Sequence, residues 1–433
     1  MYMKTSQFNL SFKYGNDFVW YNSLANDYII MNSFLNDLFI AAEKESVDDL
    51  QVIHPDFYNH LLDKNFIVDE SVNEVEEVKK LVKKIDIDDD SVYSLIINPT
   101  MNCNFKCWYC YENHIKKSKM SKDTLQNIIS LVENILQNKS LKKLTLSWFG
   151  GEPLLQYEDV VLPLLKEVKS LIGIHKKEFS SNFTSNGLLI NEKMLLELKS
   201  LNVVHFQITL DGHRERHNKV RYISEKKGSY DKIVDNIKLA LKHDFRVTVR
   251  LNLSEETFDD ETYNLINDFS NLNSNERKNL IFSFHKVWQE EKPLDFDISN
   301  LINHFEANKF NITKITDLDT VRDSCYADKK NQATINYNGD VFKCTARDFS
   351  SESKEGVLEK NGTINWNNKY YERLNSKFKN PPCLKCRILP ICNGGCSQNA
   401  IENADEEYCV YDFDENKKLD KVKDRFFYAI SDN

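Results

Sequence analysis

Asn102-Cys103-Asn104-Phe105-Lys106-Cys107-Trp108-Tyr109-Cys110-Tyr111-Glu112 is the stretch on which the reading of the chain turns. Cys103, Cys107 and Cys110 stand at C-x3-C-x2-C spacing directly after Tyr93 to Pro99, whose Leu95, Ile96 and Ile97 read as a buried strand. Three thiolates on one short loop can hold three irons of a [4Fe–4S] cube, which leaves the fourth iron open. The same cysteines also suit a zinc site or part of a disulfide set, so the choice rests on what surrounds them.

Outward from that loop, from Ser91 to about Phe310, short apolar strands alternate with longer amphipathic helices. Strands are predicted at Tyr93 to Asn98, Leu144 to Phe149, Glu178 to Ser185, Val203 to Leu210, Arg246 to Leu253 and Leu280 to Val287. Helices fit between them at Lys122 to Leu136, Leu162 to Ile172, Glu192 to Leu198, Tyr230 to Leu241 and Glu261 to Phe269. Six βα units in series imply a parallel sheet with right-handed crossovers. Phe149-Gly150-Gly151-Glu152-Pro153 follows the second strand, Thr184-Ser185-Asn186-Gly187 ends the third and Ile208-Thr209-Leu210-Asp211-Gly212 ends the fourth. Paired glycines let a backbone approach a ligand closely, and their main-chain groups with a carboxylate can receive an ammonium. Strand-end Asn-Gly and Asp-Gly pairs also occur as plain turns.

A three-cysteine loop after a strand, an aromatic before its last cysteine and Gly-Gly-Glu-Pro after the next strand resemble the radical S-adenosylmethionine (SAM) superfamily. The resemblance implies a partial (β/α)6, TIM-like barrel whose ligands sit at the carboxyl ends of the strands. It implies that Cys103, Cys107 and Cys110 hold a [4Fe–4S] cluster whose open iron chelates SAM, and that one electron splits SAM to a 5′-deoxyadenosyl radical. Gly150, Gly151 and Glu152 would take the SAM amino group, Ser185, Asn186, Thr209 and Asp211 would line its ribose and methionine, Tyr109 would pack near the adenine, and Arg221 would pair with the carboxylate.

The remaining seven cysteines all lie from Cys325 onward: Cys325, Gly339-x4-Cys344, Cys383-x2-Cys386-x5-Cys392-x3-Cys396 and Cys409. Their order resembles the SPASM auxiliary-cluster domain. By that family's interleaved ligation Cys383, Cys386, Cys392 and Cys409 would hold a distal [4Fe–4S] cluster, and Cys325, Cys344 and Cys396 a proximal one. Tyr326 to Gln332 lacks the further cysteine many relatives carry, so the fourth proximal iron is open or takes another ligand such as Asp328. Sulfatase-maturing relatives carry an aspartate after the Gly-x4-Cys element, where this chain has Thr345; Asp348 lies nearby.

Residues 1–90 read as a separate domain of strands and helices: Phe8, Leu10 and Phe12 alternate, Phe18 to Tyr21 return, and a further short strand runs through Tyr28 to Met31. Two helices follow, the second opened by Pro55, then Phe66-Ile67-Val68 as a wing strand. The pattern resembles the winged-helix-like leader-recognition element (RRE-like) of enzymes that modify ribosomal peptides, which binds a leader by strand addition; a domain that merely buttresses the barrel fits the residues too. The division expected is 1–90, 91–310 for the barrel and 311–433 for the SPASM domain.

Composition bounds the reading. At 433 residues the chain is long enough for about three domains. Its 41% hydrophobic and 28% charged residues are those of a globular protein, with no apolar run of membrane-spanning length. A net charge of −9 gives no electrostatic reason to expect nucleic acid. Ten cysteines behind an N-terminus without secretory character argue for a cytoplasmic location and for metal ligation over disulfides.

Taken together these resemblances imply an oxidoreductase that crosslinks a ribosomally made precursor peptide, with a thioether favoured and a carbon–carbon bond next. Its cofactors would be three [4Fe–4S] clusters and SAM. Its partners would be the precursor peptide, bound by its leader at the N-terminal domain, and an electron donor such as ferredoxin or flavodoxin, with no nucleic acid and no membrane. An anaerobic sulfatase maturase, making formylglycine in another protein, is the alternative enzyme. A noncatalytic leader-binding and electron-transfer subunit is the alternative from another class. Tyr111, Glu112, His114 and His285 could face the cavity, without an assigned role.

Overall fold

The computed structural model describes residues 2–224, 227–290, 298–313 and 324–431. Its contacts divide into two compact units, one of Met1–Asp89, Ile315–Lys330 and Tyr371–Asn433, the other of Asp90–Lys314 and Asn331–Tyr370.

The second unit is built on six parallel strands, β1 (Val92–Ile97), β2 (Lys143–Trp148), β3 (Glu178–Ser185), β4 (Val203–Leu210), β5 (Arg246–Leu253) and β6 (Leu280–Lys286), hydrogen-bonded in chain order. Each starts and stops within a residue of its expected bounds. In β2 and β3 buried and half-buried positions alternate. The buried rows carry an aromatic ladder: Trp148 pairs with Phe183 and Phe183 with Phe206, their rings stacked at 5.7 and 5.4 Å. A one-residue slip would turn these rings to the other face, so the ladder holds the register.

Helices between the strands begin where a polar side chain satisfies the first amides. Ser121 caps Lys122–Leu136 by accepting from the Thr124 N–H at 3.0 Å, and Asn191 caps Glu192–Ser200 by accepting from Met194 at 3.1 Å. The helix expected at Glu261 to Phe269 is instead a 3-10 turn, Asp260–Asn264, followed by one helical turn, Leu265–Asp268. A capping box opens the turn, with the Asp259 N–H donating to Thr262 Oγ1 at 3.2 Å.

The sheet does not end at six strands. β7 (Asn311–Ile312) pairs with β6 at one side, and at the other β8 (Gln332–Ile335) pairs parallel with β1, followed by the antiparallel β9 (Asp340–Phe342), β10 (Gly356–Leu358) and β11 (Ile364–Trp366). Eleven strands thus form one mixed sheet. Ala333, Ile335, Val341 and Leu358 join the same buried core as Leu95 and Ile97.

The first unit opens with an antiparallel meander, Asn9–Tyr14, Asp17–Asn22 and Asp27–Met31, followed by helices Ser33–Lys44 and Pro55–Asp63, and Ile67–Asp69 pairs with Met3–Thr5. One face of the meander packs Trp20 against Phe39. The other packs Leu10, Phe12, Val19 and Tyr21 against Ile388, Ile391, Val422 and Phe426 from the C-terminal segment of the same unit.

Candidate functional site

Asn98 follows β1, and the chain beyond it folds back on itself. Thr100 Oγ1 donates to the Ser118 carbonyl at 2.6 Å, the Met101 N–H donates to Ser118 Oγ at 2.9 Å, and the Met120 N–H returns to the Pro99 carbonyl at 3.0 Å. The loop so closed carries the three cysteines of the opening stretch. Phe105, buried in the core, anchors it, and its N–H lies 3.4 Å from Cys103 Sγ, the contact a thiolate uses.

Cys103, Cys107 and Cys110 line one cavity of about 130 Å³ with Gly150, Gly151, Ser185, Asn186, Thr209, Arg221 and Tyr109. Burial pushes the Cys103 thiol up to about 12 and the Cys110 thiol up to about 11, and raises Cys107 as well. Three buried thiols facing one space, with a backbone N–H aimed at one sulfur, fit a cationic iron cluster that would hold them as thiolates. Glu112 and His114 gather at Cys110, their ligand atoms within 4.8 Å of one another and of its sulfur.

The glycines approach this loop where no side chain could. A Cβ on Gly150, at φ +88°, would stand 2.7 Å from the Thr100 carbonyl oxygen, and one on Gly151 would stand 2.3 Å from that of Asn102. The Gly151 and Glu152 amides donate to those two carbonyls at 3.2 and 2.9 Å. Glu152 itself is fully buried and stands behind the cavity wall: it accepts from Ser185 Oγ at 2.9 Å, the Asn186 N–H at 2.8 Å and the Leu154 N–H at 3.0 Å. Burial raises its pKa, and these hydrogen bonds oppose the rise. Asn186 reaches the cluster loop, donating to Asn104 Oδ1 at 2.7 Å.

Arg221 is satisfied within the protein. Its Nε donates to Asp211 Oδ2 at 2.5 Å and its Nη2 to Tyr109 Oη at 2.8 Å, while the Tyr109 hydroxyl donates to Asp211 and accepts from Asn252 Nδ2 at 3.1 Å. Asp211, like Glu152, is fully buried and holds its neighbours rather than lining the cavity.

A second cavity of about 140 Å³ adjoins the first, sharing Tyr109, Tyr111, Phe149, Thr184 and Thr209 with it. Gln207, Arg250, Asn252, Lys286 and Trp288 line the rest, and sequence reasoning assigned none of them. Their signal was present: Gln207 and Thr209 on β4, and Arg250 and Asn252 on β5, alternate with the core residues Ile208, Val249 and Leu251 just before the strand ends. Tyr111, Glu112 and His114 line one or both cavities, whereas His285 lies 2.8 Å from Ser283 Oγ and lines neither.

In the first unit Cys383, Cys386, Cys392 and Cys409 line a single small cavity with Ile388, Leu389 and Lys418. Asn380 Nδ2 lies 3.1 Å from Cys383 Sγ. Of the other three cysteines, Cys325 and Cys396 belong to this unit and Cys344 to the second. Asp328, offered above as a ligand, is 2.5 Å from the ammonium of Lys377. None of the ten cysteines is disulfide-bonded.

Residues 97–268 match the family profile of the radical SAM superfamily. The chain carries a radical SAM domain. Such a domain implies a [4Fe–4S] cluster and SAM as cofactors, and the superfamily and the curated relatives named below are enzymes. The radical SAM cyclopropyl synthase TigE of Paramaledivibacter caminithermalis is 22% identical over 422 residues, covering 87% of this chain and 85% of TigE. A cysteine-type anaerobic sulfatase-maturating enzyme of Clostridium novyi is 30% identical over 168 residues, which span 38% of this chain and 44% of that enzyme.

Among solved structures, anSMEcpe with bound AdoMet and the Kp18Cys peptide superposes with a TM-score of 0.55 at 20% identity, over 78% of this chain and 97% of that one. Streptococcus suis SuiB superposes at 0.51 and 15% identity, over 94% and 99%. These two likenesses concern the fold. Among the described residues no helix is long and apolar enough to cross a membrane.

Proposed function

We propose that this radical SAM enzyme oxidatively crosslinks a ribosomally made precursor peptide, with a thioether as the favoured bond. The observation that carries the proposal is the gathering of two cysteine sets, three around the strand-end cavity and four around one cavity of the other unit. A crosslink removes two hydrogens from the peptide: one would leave as a hydrogen atom to the deoxyadenosyl radical, the other as a proton and an electron, and that electron needs an acceptor. Four thiols around one pocket fit a [4Fe–4S] cluster in that role, and Cys325, Cys344 and Cys396 are proposed to hold a third.

When bound, the first cluster and SAM supply the radical that removes a hydrogen atom from the peptide. The chain's own residues hold and shield. Cys103, Cys107 and Cys110 would ligate the cluster, and the Gly150–Gly151 backbone with Ser185, Asn186 and Thr209 would contact SAM. Glu152 and Asp211 would position these walls from behind, and Tyr109 and Phe149 would keep water out. Residues 1–90 are proposed to bind the leader as an added strand, which the one-sided pairing of Asp27–Met31 supports. The electron donor would be a ferredoxin or flavodoxin, in a cytoplasm that keeps the thiols reduced.

TigE, a cyclopropyl synthase by name, extends over most of this chain and favours a carbon–carbon bond as the second choice. Formylglycine formation remains the alternative, favoured by the 30% identity to the Clostridium novyi enzyme; Thr345 in place of the aspartate counts against it.

The test is anaerobic reconstitution with iron, sulfide and Mössbauer analysis, then incubation with SAM, dithionite and the peptides encoded beside the gene. About twelve irons, 5′-deoxyadenosine and a peptide lighter by two hydrogens are expected. Four to eight irons, or a product with formylglycine, would replace this reading.

A further inference from the structure

We propose that the cavity at the carboxyl ends of β3 to β6 receives a carboxylate of the peptide substrate, and that Arg250 binds it. The inference rests on the peptide-modifying reading above and names what the peptide must carry. Arg250 is half-buried on β5, where its Nε donates to Asn252 Oδ1 at 3.0 Å. Among the described residues no carboxylate pairs with it. Three other arginines of the same unit are paired, Arg214 with Asp231 at 2.8 Å, Arg216 with Asp259 at 2.7 Å and Arg221 with Asp211 at 2.5 Å. The described wall of the cavity holds two cations, Arg250 and Lys286, and no carboxylate.

A guanidinium withdrawn from water without an anion is costly, and its planar fork matches a carboxylate at two points. Burial lowers the Arg250 pKa, and burial, with the Arg250 charge second, pushes the nearby His285 down to about 4. Gln207 adds an amide suited to the main chain of an extended peptide, while Gln289 Nε2 donates to the Tyr109 carbonyl. The cavity shares a wall with the one that holds the three cysteines, so a carboxylate anchored here would fix which carbon stands before the cofactor. The carboxylate could belong to an Asp or Glu side chain or to the peptide's C-terminus.

The probes are acetyl-Gly-Gly-Asp-Gly-Gly-amide, its Glu and Asn counterparts, and acetyl-Gly-Gly-Ala with a terminal acid. Each is titrated by calorimetry into the full-length reconstituted enzyme with SAM present. A carboxylate probe is expected to bind at least about tenfold tighter than the Asn peptide, and the Asp, Glu and terminal-acid arms identify the source. Arg250→Gln should abolish that preference, Arg250→Lys should keep part of it, and the affinity for SAM should be unchanged in both. Equal binding of acid and amide by the wild type overturns the inference, as does a preference that survives Arg250→Gln. A variant that loses SAM rather than the probe overturns it too, by assigning Arg250 to the SAM carboxylate. Deoxyadenosine and peptide mass are followed on the same preparations: a carboxylate preference without loss of two hydrogens upholds this site while the crosslinking reading falls.

Discussion

Gly150 and Gly151 set the distance between two loops that line one cavity. With a Cβ of Gly151 at 2.3 Å from the Asn102 oxygen, the cysteine loop would have to retreat. Gly151→Ala is expected to leave the fold intact but to lose most of the iron of the first cluster and SAM binding with it, measured by iron content and SAM titration against wild type. His217 makes a different kind of prediction. It is fully buried, with the Asp211 N–H donating to its Nδ1 at 3.2 Å and Ser229 Oγ 2.9 Å from its Nε2. Burial pushes its pKa down to about 3, against about 6.5 in an unfolded chain. Below about pH 6.5 the unfolded chain therefore takes up a proton that the folded chain refuses, and stability falls with pH until about pH 3. Between pH 7 and pH 5 this amounts to about 2 kcal/mol. Urea unfolding should show that much less pH-dependent loss in His217→Gln; an equal loss in both proteins would mean that His217 does not titrate on unfolding.

At the scale of elements, β8 decides whether β1 is an edge. β1 carries the cysteine loop at its end, and Gln332–Ile335 pairs along it from Ser94 to Ile97. An unpaired parallel strand with Leu95 and Ile97 behind it is a template for association. A fragment of residues 90–310 is therefore expected to aggregate, whereas residues 90–370, which retain β8 to β11, should run as a monomer on size-exclusion chromatography. Equal solubility of the two would show that β1 does not need its partner.

At the scale of the whole molecule, the ten cysteines are proposed to serve separate tasks. Replacing Cys383, Cys386, Cys392 and Cys409 by Ala together should remove about four irons while SAM cleavage to deoxyadenosine continues and the peptide product disappears. Loss of SAM cleavage as well would mean that the two tasks are not separable.

The strands of the sheet and its first cavity were legible in the order of residues, because period-two burial, capping side chains and cysteine spacing are local properties. The grouping of Cys383, Cys386 and Cys392 with Cys409, past the nearer Cys396, came from the resemblance to the SPASM domain and not from spacing. The extension of the sheet through residues 332–366 was not legible, since strand pairing over more than 230 residues leaves no trace in either strand alone. Nor was the division of labour around the cofactor cavity. The sequence marks Glu152, Asp211 and Arg221 as charged residues at strand ends, but whether each faces a ligand or a neighbour depends on partners brought from Tyr109, Ser185 and Asn186. The chemistry of the ligands is thus written in residue type and spacing, whereas pairing, burial and the position of Arg250, without a carboxylate partner among the described residues, arise only when distant strands meet and exclude water.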